Sequence, residues 1–204
     1  MKLLGKKIYR IGLKPYKNGY GSIGNRGRGA ESYSSSHCCV HPEAQISMAD
    51  GTTKNAKDIR IGDKLQTQAG IGTVEIIATP VLGRRYLYSY GRGSYFITGD
   101  HPIHANGEWK SLTPKYSKLN YDVDCKPLKR GDELTLINGD KVRLERIEGR
   151  ADNPDLVLYD FHMDGNEDAN HTYFANGLLV HNGGGGGGGG GGGSCGYDSR
   201  YNES

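Results

Sequence analysis

Between residues 39 and 182, hydrophobic and polar positions alternate in short runs separated by Gly, Asn and Asp. Residues 72–80 form a β-branched run. Residues 86–90 and 94–98 flank Gly91-Arg92-Gly93, a hairpin signal. Residues 133–137 and 141–147 alternate around Asn138-Gly139, the dipeptide of a type I′ turn. Residues 156–163 read as another strand, and 172–175 with 178–180 enclose Asn176-Gly177 as a further hairpin. One helical turn is expected at Ala56-Lys57-Asp58-Ile59. Many short strands joined by Gly and Asn turns predict an all-β domain.

The pattern fails on both sides of this segment. Residues 1–38 carry eight Lys/Arg against one Glu, with Arg26-Gly27-Arg28-Gly29 and a Ser run. Residues 183–193 are eleven consecutive glycines, which have no side chains to bury and the most backbone entropy to lose. Flexible flanks are therefore predicted at 1–38 and 183–204, around a domain at 39–182. The middle holds seventeen Lys/Arg and twenty Asp/Glu, so a net charge of +3 hides a basic arm and a mildly acidic core. The arm's Arg, Gly and Tyr residues suit weak nucleic-acid binding; a solvated tail is the more ordinary reading.

No run approaches the roughly 20 apolar residues of a membrane span, and the first residues lack the apolar stretch of a signal peptide. Four cysteines, Cys38, Cys39, Cys125 and Cys195, show no zinc spacing and no disulfide framework. A reducing, cytoplasmic compartment is expected, with free thiols, no metal and no cofactor.

The segment opens Cys39-Val40-His41-Pro42-Glu43-Ala44 and continues Ala56-Lys57-Asp58-Ile59-Arg60-Ile61-Gly62-Asp63. It contains Thr98-Gly99-Asp100-His101 and Tyr159-Asp160-Phe161, and it ends His171-Thr172-Tyr173-Phe174-Ala175-Asn176-Gly177-Leu178-Leu179-Val180-His181-Asn182. In that order these blocks resemble the Hint superfamily, which comprises inteins, bacterial intein-like domains and hedgehog autoprocessing domains. The resemblance covers 39–182 and implies an all-β, horseshoe-like fold whose two ends meet at one site. The implied activity is single-turnover cleavage of the chain's own peptide bonds.

The chemistry can be argued beside the resemblance. The Cys39 sulfur can reach the preceding carbonyl, that of Cys38, through a five-membered ring and convert the amide to a thioester. Protonation of the departing nitrogen by an imidazole helps by about 10²–10⁴-fold. The resemblance gives that role to His101, with Thr98 orienting the peptide. At the other border, the Asn182 side-chain nitrogen can attack its own carbonyl and cut the Asn182–Gly183 bond, a reaction that depends on orientation. The resemblance makes His171 and His181 assistants of this cyclisation and Asp160 the acid that coordinates the two ends. Without it, His101 reads as a packed strand end and Asp160 as an ion-paired strand residue. Cys125 reads as structural, Asp100 as shaping the loop before His101, and His37, His41, His104 and His162 show no partner pattern.

Two positions depart from the family pattern. Ala44 stands where Thr is usual. Gly183 stands where inteins carry Ser, Thr or Cys, so no side chain accepts the acyl group and the branched-ester route is closed. Expected products are N-side cleavage by water, an external thiol or an amine, C-side cleavage, or a joined product formed by the Gly183 amine. The flanks are then the substrate. The alternatives are a hedgehog-like transfer to an external nucleophile, and an inert Hint scaffold in a nucleic-acid-binding or phage-like structural protein with virion association.

Overall fold

A computed structural model describes residues 39–91, 93–164 and 171–182. The expectations for both flanks, Cys38, Gly183 and Cys195 lie outside these residues. Strands run β1 Gln45–Ser47, β2 Thr53–Asn55, β3 Lys64–Thr67, β4 Gly70–Ala78, β5 Leu87–Tyr90, β6 Ile97–Thr98, β7 Ile103–Ala105 and β8 Glu108–Ser111. The rest are β9 Lys126–Pro127, β10 Glu133–Thr135, β11 Lys141–Arg143, β12 Ile147–Arg150, β13 Asp160–Met163, β14 Thr172–Ala175 and β15 Leu178–His181. A 3-10 turn spans Ala56–Asp58, as expected, and helix α1 spans Pro114–Tyr121.

The largest sheet has the order β11-β10-β7-β15-β14-β1-β2, with β8 on β7 and β9 on β8. Two three-stranded sheets, β12-β5-β6 and β13-β4-β3, complete an all-β architecture. Ile46, Leu65, Ile97, Ile103, Phe161 and Tyr173 are fully buried in the main core. Each such side chain contributes about 1.5–3 kcal/mol. No helix among the described residues is long and apolar enough to cross a membrane.

The two Asn-Gly turns differ. Asn176 (φ 49°) and Gly177 (φ 76°) are both left-handed, so β14 and β15 join through a type I′ turn with Ala175 opposite Leu178. Asn138-Gly139 does not form the type I′ turn its sequence predicts. Only Gly139 has positive φ (84°), and its N–H donates to Leu136 O at 2.9 Å. The Asp140 N–H donates to Asn138 Oδ1 at 3.1 Å, which favours an ordinary turn followed by a left-handed glycine.

Several expected strands are shorter: residues 133–137 keep Glu133–Thr135 as β10, and residues 141–147 keep Lys141–Arg143 as β11, with Ile147 opening β12. Residues 94–98 keep only Ile97–Thr98 as β6, because Phe96 O turns away to accept the His41 N–H at 2.7 Å. Residues 156–163 change partners along their length. Leu158 N–H donates to Pro80 O, Tyr159 pairs with Val40, and β13 then pairs with β4. Helix α1 was not expected, although Thr113-Pro114 places proline at its first turn, where a missing N–H costs nothing.

Helix α1 shapes the loop between β6 and β7. Ser117 Oγ donates to Asp100 O at 2.7 Å, and Asn120 Nδ2 and the Tyr121 hydroxyl donate to Asp100 Oδ2 at 3.1 and 2.9 Å. Asp100 therefore anchors the loop that presents His101. Gly99 is needed at the same bend, because a Cβ there would sit 2.8 Å from the Tyr88 ring.

Candidate active site

The backbone at Cys39 is held from two sides. The Val40 N–H donates to Tyr159 O at 2.9 Å, and the Tyr159 N–H returns to Val40 O at 3.0 Å. Opposite, the Thr98 N–H donates to Cys39 O at 3.1 Å, with the Thr98 hydroxyl 3.5 Å from the same oxygen. Thr98 thus grips the peptide that follows Cys39. The thiol is fully buried against Leu82, Leu87 and Leu158, with Arg85 Nη1 3.8 Å from Sγ. Burial pushes the thiol pKa well above its ordinary value; Arg85 pulls against this, while Asp160 and Asp100 add to it.

At the other border the chain is held just as closely. The Asn182 N–H donates to His171 O at 2.8 Å, and the His181 N–H to Pro102 O at 3.1 Å. Asn182 is fully buried, and its Nδ2 donates to Phe161 O at 2.7 Å. That bond fixes which way the carboxamide faces, since the opposite orientation would set two oxygens together. His181 Nδ1 is hydrogen-bonded to Asn182 O. A carbonyl only accepts, so Nδ1 carries the proton.

These two borders converge on one stretch of chain. Tyr159 O holds the residue after Cys39, and Phe161 O holds the Asn182 side chain. Alternate residues of a strand are about 7 Å apart. Asp160 lies between them, fully buried. Its Oδ1 accepts the Phe161 N–H at 3.0 Å. Its Oδ2 is buried without a hydrogen bond, because His162 Nε2 stands 3.6 Å away, beyond hydrogen-bond reach. Burial raises the Asp160 pKa well above the carboxylate range, the Phe161 N–H acts against this, and Asp100 adds to it. Asp160 is therefore drawn toward its neutral, proton-bearing form.

His101 is completely buried, and neither ring nitrogen has a hydrogen bond. The backbone of Cys39 and that of His181 both act on its ring, which places His101 between the two borders. Burial lowers its pKa to about 4, against smaller opposing effects that include Asp100. The imidazole is therefore neutral at pH 7 and carries one N–H.

Aromatic rings line the C-side border. The His171 and His181 rings lie 6.5 Å apart at 23°. Trp109, from β8, meets His181 edge-on at 4.9 Å, and His104 meets Trp109 at 5.1 Å. The structure thus brings together Cys39, Thr98, His101, Asp160, His171, His181 and Asn182. Arg85, Trp109 and the carbonyls of Tyr159 and Phe161 join the site without any local motif that marks them. Among the described residues no group of three His, Cys, Asp or Glu is placed to hold a metal ion.

A buried thiol at one border and a buried His-Asn pair at the other, tied to one strand of an all-β framework, define a Hint fold. Residues 38–125 match the family model described as Vint, a Hint domain. Solved structures that the chain is similar to include inteins and an intein-like domain. The bacterial intein-like domain from Clostridium thermocellum is 21% identical, with a TM-score of 0.56 over 72% of this chain and 100% of that one. The gp41-1 intein is 19% identical, with a TM-score of 0.53 over 72% of this chain and 100% of that one. The Ssp DnaB mini-intein variant M86 is 14% identical, with a TM-score of 0.53 over 72% of this chain and 94% of that one. No curated relative matches the chain.

Proposed function

We propose that this domain cuts its own chain at both borders, with Cys39 as nucleophile on the N-side and Asn182 on the C-side. The observation that carries this reading is the shared attachment of Val40 and the Asn182 side chain to Tyr159 O and Phe161 O, with Asp160 between.

On the N-side, Sγ forms a bond to the carbonyl carbon of Cys38 and the C–N bond to Cys39 breaks. The thiol proton ends on the departing nitrogen, so no proton is consumed. His101 moves it: neutral at pH 7, it accepts a proton, and with a pKa of about 4 it releases that proton readily. Asp160 supplies a second buried acid beside the same border.

On the C-side, Asn182 Nδ2 attacks the Asn182 carbonyl carbon and closes a succinimide. The bond to Gly183 breaks, and a proton lost from Nδ2 is matched by one gained at the Gly183 amine. The His181 Nδ1–H faces the oxygen on which negative charge develops. Phe161 O holds the attacking nitrogen in line. Gly183 offers no side-chain acceptor, so the products are separate fragments, or a joined 1–38/183–204 chain made when the Gly183 amine attacks the thioester. A working thiol suits a reducing compartment.

Incubation with dithiothreitol or hydroxylamine tests the N-side step. Intact-mass spectrometry should show faster release of residues 1–38, because either reagent intercepts a thioester. No acceleration by either reagent would remove the thioester from the scheme.

Trp109 positions His181 by its ring contact at 4.9 Å. Trp109→Leu should slow C-side release by ~10–100-fold, the scale of a misplacement of about an ångström, and leave N-side release within a few-fold. Equal slowing of both cuts would reduce Trp109 to a general packing residue.

A further inference from the structure

We propose that Arg85 is a catalytic residue of the N-side step, the cation that stabilises negative charge on the Cys39 sulfur as it attacks. This rests on the reading of Cys39 as nucleophile.

Arg85 lies in the segment between β4 and β5, and its guanidinium is fixed at two edges. Its Nε donates to Leu82 O at 3.0 Å and its Nη2 to Val81 O at 2.7 Å. The remaining nitrogen, Nη1, faces Cys39 Sγ at 3.8 Å. A planar fork with two anchored edges has little freedom left to turn the third away. Capping the 81–82 turn explains the first two contacts. It does not account for the third, the approach of Nη1 to a sulfur packed among Leu82, Leu87 and Leu158, although Asp100 also acts on the guanidinium through its charge.

The sulfur's surroundings show why a cation belongs there. A thiolate in a fully buried apolar site is expensive unless paired. Asp100 acts to disfavour it, and His101 is uncharged at pH 7. Arg85 is the opposing charge. Its pKa is far above physiological pH, so it remains charged throughout without exchanging a proton. During the shift Sγ bonds to the Cys38 carbonyl carbon, the C–N bond breaks and the proton passes from sulfur to nitrogen, while Arg85 holds the charge that appears in between.

The test compares full-length wild type, Arg85→Met and Arg85→Lys. N-side release is followed by intact mass in hydroxylamine across pH 6–9, and C-side release is followed in the same samples. Arg85→Met, which keeps a long apolar stem, should slow N-side release by ~10²-fold, the loss typical of one removed charge-stabilising donor. Its rate should rise to a plateau at higher pH than in wild type. Arg85→Lys should recover part of the rate, and C-side release should stay within a few-fold in both. An unchanged N-side rate and pH profile in Arg85→Met would overturn the proposal. So would equal loss of both cuts in both variants, which would mark Arg85 as a folding residue. Failure of the underlying reading has its own signature: wild type and Cys39→Ala would release residues 1–38 at the same rate.

Discussion

Asn182→Ala is expected to leave the C-side border uncut while residues 1–38 are still released, and Cys39→Ala is expected to do the reverse. Each substitution removes the atom proposed to attack at its border, so the corresponding product should fall below detection in an intact-mass spectrum. Independence follows from the geometry. Cys39 is gripped by Thr98 on its carbonyl and by Val40–Tyr159 pairing, and neither contact involves Asn182. Asn182→Ala frees Phe161 O, whose loss of a buried partner costs about 1–3 kcal/mol. The same change removes Asn182 Oδ1, which is buried without a hydrogen bond, and this offsets part of that cost. The N-side rate should therefore change by no more than a few-fold. Unchanged fragments in both variants would defeat the two-nucleophile scheme outright.

The second large effect belongs to His101. Its pKa falls from an ordinary 6.5 to about 4 because the ring is completely buried. An unfolded chain binds a proton at this residue below pH 6.5, whereas the folded chain does not until about pH 4. Its contribution to stability is therefore full above pH 6.5 and is lost as the pH falls toward 4. The loss is on the order of 3 kcal/mol, at 1.36 kcal/mol per pKa unit. Asp160 works in the opposite direction, since its raised pKa makes the folded state hold a proton that the unfolded state releases as pH rises. A comparison of wild type with His101→Asn isolates the histidine. Urea midpoints at pH 7 and pH 4.5 should differ less in the variant. The same variant should slow N-side release by ~10²–10⁴-fold. Identical pH slopes in the two proteins would contradict a buried neutral ring.

Much of the framework can be read in the chain. Asn176-Gly177 marks a true type I′ hairpin, because Gly177 relieves one strained position and Asn tolerates the other. The same dipeptide at Asn138-Gly139 misleads, because Asn138 hydrogen-bonds to Asp140 through both side-chain atoms and stays at negative φ. Helix α1 escapes notice because only two of its eight residues, Ser117 and Tyr121, are buried, so no apolar stripe betrays it. The site divides in a similar way. Thr98-x-x-His101 and His181-Asn182 stand in recognisable blocks. Arg85 and Trp109 do not, because Arg85 reaches a sulfur 46 residues away and Trp109 a ring 72 residues away. Contacts of that span leave no local trace.

The strand that joins the two borders does so through main-chain oxygens, those of Tyr159 and Phe161. Every amino acid carries that oxygen, so replacing either side chain leaves the clasp in place. The geometry that links the two borders is thus largely indifferent to sequence drift at these two positions. A likeness of shape that survives at 14–21% identity is what such an arrangement permits.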